Sequence, residues 1–218
     1  MASASPRIAR SNRILAALPR KVLDGLLPEL EVVDLPVRRV LQHRGRKLEH
    51  VFFPTSGVAS MVSMGDSGAS VEVATIGCEG MVGLPAFLGG ESAAVEVFIQ
   101  VPGEGMRMHA SALRRHAERE SSLSRALLLY TQALMTQIAQ ASACNQYHAI
   151  ADRCARWLLQ THDRVKGDTF ALTHEFLGLM LGVRRATGTH FRCSHRPGRR
   201  LIAASNSAPA RTARERGG

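Results

Sequence analysis

Short stretches in which hydrophobic and polar residues alternate run through the chain from Glu31 to Val101. Five such stretches, all rich in valine, occupy residues 30–37, 39–45, 50–64, 69–77 and 93–101. A period of two places successive side chains on opposite faces of a strand, and the Gly, Pro, Asp and Ser residues at the breaks favour turns. This spacing predicts an antiparallel roll or barrel of short strands.

A glycine-rich connection at 77–92 separates the fourth stretch from the fifth and contains the apolar segment 81–88. Glycine turns that lead into a helix can hold a phosphate with their backbone N–H groups. Glycines are equally frequent as simple turn formers, and this connection contains no Lys or Arg. Both interpretations therefore stay open at this point.

The period lengthens to that of a helix after His109. Residues 109–120 form a polar helical stretch, and residues 121–146 form a long helix without Gly or Pro. Two apolar stripes follow this long helix. The first has the spacing of a coiled-coil seam and contains Leu123, Leu127, Tyr130 and Leu134. The second contains Leu128, Met135 and Ile138.

Two stripes on one helix indicate two partners, which we interpret as the roll and the same helix of a second subunit. We assign the seam residues to the dimer contact, because a spacing of four and three residues matches a two-stranded coil. The alternative is a helix that is buried within a single chain.

Further amphipathic stretches lie before the predicted strands and after the long helix. A helix is predicted at 149–165, with the inward residues Ile150, Cys154, Trp157, Leu158 and Leu159 and the outward residues Arg153, Arg156 and Arg164. Near the N-terminus a short packed helix is predicted from Ile14, Leu15, Leu18, Val22 and Leu23. The first 23 residues also have the acid-free, Arg- and Ser-rich composition of organellar transit peptides, an interpretation that we rank second.

The stretch 172–187 has the pattern of a helix-turn-helix. Thr173 is placed to cap the first helix, since its hydroxyl can accept a hydrogen bond from a free backbone N–H. Gly182 can adopt the left-handed conformation that ends this helix. Arg184, Arg185 and Thr187 then open a second helix, where a helix in the major groove carries its contacts to phosphates and base edges. A short amphipathic helix followed by a basic loop is the simpler alternative.

The net charge of +10 is concentrated at the end of the 218-residue chain. Residues 184–218 contain nine Arg and one Glu, which leaves a net charge of +2 for residues 1–183. A basic tail attracts polyanions loosely and in a salt-sensitive way, whereas a folded basic face would mark a specific footprint. Residues 199–218 show neither strand alternation nor a helical face, and we predict that the basic tail at 191–218 is disordered.

Cofactor, membrane and catalytic functions have little support in the sequence. The four Cys residues form no CxxC pair, and Cys144 and His148 lie one helical turn apart without a third ligand, so we expect no metal site. No apolar run approaches the roughly 20 residues that span a bilayer. The acidic residues and histidines Glu72, Glu79, His109 and His116 form no recognisable acid–base set, and no GxSxG motif occurs. We therefore expect a non-enzymatic cytoplasmic protein without a cofactor.

Taken together, four segments resemble the Crp–Fnr family of bacterial transcription regulators: 50–63, 71–85, 151–159 and 172–187. The resemblance covers roughly residues 12–187. It implies an α+β fold with an N-terminal antiparallel β-roll of the cyclic-nucleotide-binding jelly-roll type, a long dimerisation helix and a C-terminal all-α helix-turn-helix. It also implies a homodimer that responds to a small-molecule effector, binds double-stranded DNA and has RNA polymerase as a candidate partner.

The resemblance divides the chain into four parts: a sensor roll at 12–119, a dimerisation helix at 120–146, a helix-turn-helix domain at 147–190 and the basic tail at 191–218. Relatives carry a two-stranded wing after the reading helix, and no such pattern is found here. The composition of the tail is typical of a shifted reading frame in a GC-rich gene. We expect a truncated or frame-shifted wing, which the nucleotide sequence would test.

The effector pocket implied by the resemblance is degenerate in this chain. Relatives that bind cyclic nucleotides carry Gly-Glu-Leu, with the Glu on the ribose, and Arg-Ser, with the Arg on the phosphate. The matching positions here are Gly83 with Leu84, and Ala94 with Val95, while Ile138 and Ala139 replace the Thr-Ser that faces the base. Without these polar partners a buried phosphate would lose its charge-assisted hydrogen bonds, so we expect no binding of cyclic AMP.

The DNA-reading positions are also only partly retained. Relatives place Arg, Glu and a second Arg toward base edges, and the matching residues here are Arg185, Ala186 and His190. Arg184 and Thr187 are expected to contact phosphates, with Thr173 at the helix start. The resulting prediction is a DNA-binding regulator, and the alternative is a sensor and dimerisation module that acts through mixed dimers with intact relatives.

Overall fold

The computed structural model describes residues 4–65, 70–165 and 174–182, and for residues 174–176 the backbone only. Three short helices open the chain, at Pro6–Ala9 (α1), Arg13–Ala16 (α2) and Arg20–Leu26 (α3). The side chains of Ile14, Leu15, Leu18 and Leu23 are buried in the main core. The N-terminal segment therefore packs against the roll, as the apolar spacing predicted.

The described chain then forms a roll of antiparallel strands, which confirms the predicted fold class. The strands are Glu31–Leu35 (β1), Val40–Gln42 (β2), His50–Pro54 (β3), Val58–Met64 (β4), Ser70–Ile76 (β5), Glu96–Val101 (β6) and Gly103–His109 (β7). One sheet has the order β1-β7-β3 and the other the order β2-β6-β4-β5. Apolar side chains from both sheets meet in a single core together with the N-terminal helices.

Strand β7 was not predicted, although it is the central strand of its sheet. Its sequence, with glycines at 103 and 105 and charged residues between apolar ones, lacks the valine-rich signal of the other strands. A Cβ at Gly103 would lie 2.4 Å from the carbonyl oxygen of Ser56, so this glycine is required by close packing of the backbone. The segment is a strand because β1 and β3 both pair with it.

Five further helices follow in the described residues: Leu84–Phe87 (α4), Ala110–Arg119 (α5), Ser121–Tyr147 (α6), Ile150–His162 (α7) and His174–Met180 (α8). The two helices predicted from 109 to 146 are confirmed within two residues at their ends. Gly182 has a φ of +65°, as expected for the residue that ends α8. Within these residues, no helix is both long and apolar enough to cross a bilayer.

Helix α7 packs differently from the prediction. Cys154, Trp157 and Leu158 are buried as expected, whereas Ile150 and Leu159 are exposed, so their inward assignment was wrong. Arg164 was assigned to the outward face, but its side chain is mostly buried and bonds to Glu79 of the roll. The helix is rotated in this way because its buried face contacts both the roll and α8.

The seam of α6 points toward the roll of its own chain. Leu123, Leu127 and Leu134 are buried in the main core, and Tyr130 packs against it. This contradicts their assignment as the surface offered to a second subunit. The other stripe is divided, since Ile138 is partly buried against the core while Leu128 and Met135 are 57% and 66% exposed.

Candidate functional site

The glycine-rich connection after β5 forms a compact turn rather than an open anion cradle. Gly83 has a φ of +97°, and a Cβ there would lie 2.8 Å from Cγ1 of Val51. This glycine therefore allows α4 to begin directly against β3. Leu84, the first residue of α4, is buried in the core. An apolar side chain thus occupies the position where relatives carry the ribose-binding Glu.

The six residues predicted for the effector pocket do not gather around one cavity. Gly83 and Leu84 belong to the packed turn, whereas Ala94 is exposed and Val95 is partly buried against the core. On α6, Ile138 contacts the core and Ala139 faces outward. The pocket expected at the degenerate cassette is therefore filled or dispersed in this chain.

A different cavity lies between α6, the N-terminal helix α2, the end of β5 and the end of α7. It has a volume of about 700 Å³, in the range of small-molecule sites. Its walls combine apolar and polar side chains, and none of the six predicted pocket residues lines it. Its lining includes Arg13, Glu79, Leu129, Tyr130, Gln137 and Arg164.

Hydrogen bonds fix the walls of this cavity. The Tyr130 hydroxyl donates to the Met81 carbonyl at 3.0 Å, and burial raises the pKa of this phenol, so it stays neutral. The Gln137 amide donates to the carbonyl and hydroxyl oxygens of Thr75 at 3.2 and 3.0 Å. These bonds set the rotation of α6 about its axis, which explains why the predicted seam faces inward.

An ion pair closes one end of the cavity. Nε of Arg164 lies 2.6 Å from Oε1 of Glu79, and both side chains are partly buried. The pair joins α7 to the connection after β5, so it links the helical half of the chain to the roll. Arg13 lines the same cavity. The cavity thus offers cations and amides at its edges and apolar walls between them.

Helices α7 and α8 cover the outer face of the β2-β6-β4-β5 sheet through a second hydrophobic cluster. The cluster contains Val62, Cys154, Trp157, Leu158, Leu177, Met180 and Leu181, with Phe98 packed against it. A row of buried polar groups crosses the same contact. The Ser60 hydroxyl donates to Gln100 at 2.6 Å, and the Gln100 amide donates to the hydroxyl of Thr161 on α7 at 3.0 Å.

Glu72 is the charged member of this buried contact. Burial raises its pKa from the ordinary range to about 7, and the neighbouring Trp157 indole and the positive charges of Arg156 and Arg164 limit the rise. In the sequence, Glu72 belongs to no acid–base set, and no sequence signal marks its environment. Its position depends on a β-bulge: the ladder skips Val73, so Glu72 pairs with Val62 of the outer cluster instead of facing the main core.

The predicted DNA contacts lie outside the described residues. These are Thr173, Arg184, Arg185, Thr187 and His190. Helix α8 itself is described, and Leu177, Met180 and Leu181 are buried in its contact with α7 and the roll.

No protein-family model and no curated protein sequence matches this chain. Solved structures do match it. A protein from Eubacterium rectale assigned to the crp/fnr family of transcriptional regulators has a TM-score of 0.67 at 12% identity, over 81% of this chain and 82% of its own. CLP, a c-di-GMP-responsive global regulator from Xanthomonas campestris, has a TM-score of 0.62 at 13% identity, over 77% and 86%.

FixK2 from Bradyrhizobium japonicum gives a TM-score of 0.60 at 16% identity, over 71% of this chain and 78% of its own. The chain has the fold of Crp–Fnr regulators. In this Crp–Fnr fold the roll comes first along the chain, the long helix α6 follows it, and helices α7 and α8 come last. The low identities establish the shared architecture, and site residues must therefore be argued from this chain itself.

Proposed function

We propose that the chain is a dimeric, DNA-binding transcription regulator of the Crp–Fnr type that responds to a small-molecule effector in the cytoplasm. The observation that carries this proposal is the order of its parts. A sensor-type roll leads into a 27-residue helix, and a short helix with a left-handed glycine at its end follows. This order matches regulators whose fold the chain shares over most of its length.

The exposed face of α6 supports a dimer. The helix carries one charged residue, Arg125, along its 27 positions. Leu128, Leu129 and Met135 are exposed on the side away from the roll. An apolar, nearly uncharged helix face is typical of a contact between subunits. We therefore propose that this face, and not the seam buried against the roll, contacts a second copy.

The cavity beside α6 is the proposed effector site. It is bounded by both the roll and α7, so a ligand there would contact the sensor and the helical half at once. Leu129 belongs both to the cavity and to the exposed face of α6, and a second subunit would therefore lie close to the ligand. The buried Leu84 and the absence of a cation at Ala94 and Val95 argue against a cyclic nucleotide at the cassette.

DNA contact is proposed for the residues after α8. Arg185 is expected to read a base edge, and Arg184 and Thr187 are expected to hold phosphates, with His190 one turn further and Thr173 at the start of the helix. A guanidinium suits both tasks, because it donates several hydrogen bonds in a fixed plane.

A gel-shift assay with a palindromic site and a scrambled one, each at two salt concentrations, tests the proposal. Arg185→Ala is expected to lose about 1–3 kcal/mol on the palindrome and little on the scrambled DNA. Arg184→Ala is the matched control and should weaken binding to both DNAs alike, because a phosphate contact carries no sequence information.

Binding that ignores sequence and falls steeply with salt would contradict specific reading and would indicate attraction by the arginine-rich tail alone. That result would favour the second function, a sensor and dimerisation module acting through mixed dimers. The second function is supported by the departures of Ala186 and His190 from the pattern of relatives.

A further inference from the structure

The contact between the roll and helices α7 and α8 contains an ionisable group where an apolar contact would be expected. Glu72 and Val62 are paired across β5 and β4, and Val62 lies in the hydrophobic cluster that α7 and α8 cover. Glu72 is buried, and its Oε2 atom has no hydrogen-bond partner among the described residues. A buried carboxylate without a partner is costly, whereas a neutral carboxylic acid is much less so.

The direction of the neighbouring hydrogen bonds favours the neutral acid. The oxygen Oε1 of Gln100 can only accept, so the single hydroxyl proton of Ser60 is committed to it. The Ser60 oxygen is then free to accept a proton from a neutral Glu72, but it has no second proton to donate to an ionised one. The bonds that join Ser60, Gln100 and Thr161 therefore leave the Ser60 proton unavailable to a Glu72 carboxylate.

No described cation is positioned to neutralise an ionised Glu72 by contact. Arg164, just after the end of α7, is paired with Glu79, and Arg156 of α7 bonds to Gln160 while its buried Nε has no described partner. Both guanidinium groups act on Glu72 only at a distance.

The remaining faces offer no charged partner, and the neutral Trp157 indole is the neighbouring donor that favours an ionised Glu72. The described side chains of α8, at 177–182, are uncharged, and β4 carries no charged residue. On β6, Glu96 lies in the same row as Glu72 across the sheet and is paired with His43.

We propose that Glu72 is a protonation-controlled latch, which holds α7 and α8 on the roll when neutral and weakens this docking when ionised. Its regulatory meaning rests on the proposed DNA-binding function, whereas the latch itself does not. Release of the helices would expose Glu72 to water and would free the helical half from the sheet that carries it.

The sign of the pH dependence follows from the raised pKa. The docked state prefers the acid, with a pKa of about 7, while the released state has the ordinary value of 4.5. Docking is therefore strongest below the released value, weakens as the pH rises from about 4.5 to about 7, and stays constant above that range. The docking equilibrium should fall roughly a hundredfold between pH 5 and pH 8.

Hydrogen exchange on the full-length protein measures this equilibrium directly, because protection of the α7 amides reports how often the helix opens. After correction for the intrinsic effect of pH on exchange, protection in α7 should fall roughly a hundredfold between pH 5 and pH 8. The Glu72→Gln variant should keep its protection over the same range. Glu104→Gln, at an exposed glutamate of β7, is the matched control and should behave like the wild type.

Acrylamide quenching of Trp157 gives an independent reading, since it is the chain's single tryptophan and is 3% exposed in the contact. Protection that does not change with pH in the wild type, or that falls equally in Glu72→Gln, would overturn the proposal. Should Glu72→Gln fail to fold, carbon-13 titration of the wild-type Glu72 carboxyl decides. A midpoint near 7 supports the latch, and a midpoint near 4.5 overturns it. None of these measurements involves DNA, so their outcome is separate from that of the DNA-binding test.

Discussion

At the scale of single residues, Asn12 shows how much one side chain can organise. It is fully buried, and its Oδ1 accepts hydrogen bonds from the backbone N–H groups of Ile14 and Leu15 at the start of α2. Its Nδ2 donates to the carbonyl oxygens of Pro54 and Gly80 at 2.9 and 2.8 Å. One amide therefore caps a helix and joins it to both a strand end and the glycine-rich connection.

Replacing Asn12 by Ala should lower the free energy of unfolding by about 2–4 kcal/mol, because the cap is lost and two buried carbonyl groups are left without a donor. Urea unfolding followed by circular dichroism measures the change. Asn12→Ser is the control, since serine keeps a cap acceptor and should recover about 1 kcal/mol. A loss below about 1 kcal/mol in Asn12→Ala would show that water replaces these bonds.

At the scale of elements, β7 depends on glycine for its position between two partners. The backbone of Gly103 approaches Ser56 so closely that no side chain fits, and Gly105 lies against Leu35 and the Phe53 carbonyl. Arg107 of the same strand is paired with Glu31 of β1. The sheet thus gains a central strand from a segment of low intrinsic strand propensity.

Gly103→Ala should therefore destabilise the fold by about 1–3 kcal/mol, since the methyl group meets backbone that cannot move freely. Gly25→Ala is the matched control. Gly25 lies on the exposed side of α3, and no atom lies within 4 Å of the position that a methyl group would take there, so its replacement should stabilise by about 0.5–1 kcal/mol. Thermal unfolding of both variants makes the comparison, and equal effects would contradict the packing argument.

The hydrophobic periodicity predicted most helices and strands, but not which side of each element contacts the roll. Both stripes of α6 are apolar at helical spacing, so the sequence could not decide whether Leu127 or Leu128 faces the roll. That choice depends on the contacts of Tyr130 and Gln137 with residues far away in the chain. Simple alternation would likewise place Glu72 on the same face as Ala74, and only the bulge at Val73 separates them. The candidate latch was therefore beyond sequence reasoning.

At the scale of the whole molecule, the nearly uncharged, exposed face of α6 is the basis of the proposed dimer. Leu128→Glu combined with Met135→Glu should weaken dimerisation roughly a hundredfold or more, because two exposed apolar side chains at the proposed contact become charged. Sedimentation equilibrium gives the dissociation constant.

Leu88→Glu is the control for this experiment. Leu88 is 55% exposed, close to the 57% of Leu128, but it lies at the end of α4 rather than on α6. The control should dimerise like the wild type. A monomeric wild-type protein, or a dimer unaffected by the double change, would contradict the proposed contact.

Tyr130 and Gln137 fasten α6 to the roll at two points seven residues apart, which is about 10 Å along the helix axis. Two attachments prevent α6 from rotating against the roll, so the helix and the roll move as one rigid unit. The extended pair His148 and Ala149 separates α6 from α7 and is spanned by the bond from Arg153 to Asn145. Under the proposed function, a change in the effector cavity would therefore reach DNA as a rotation of α7 and α8 about these two residues.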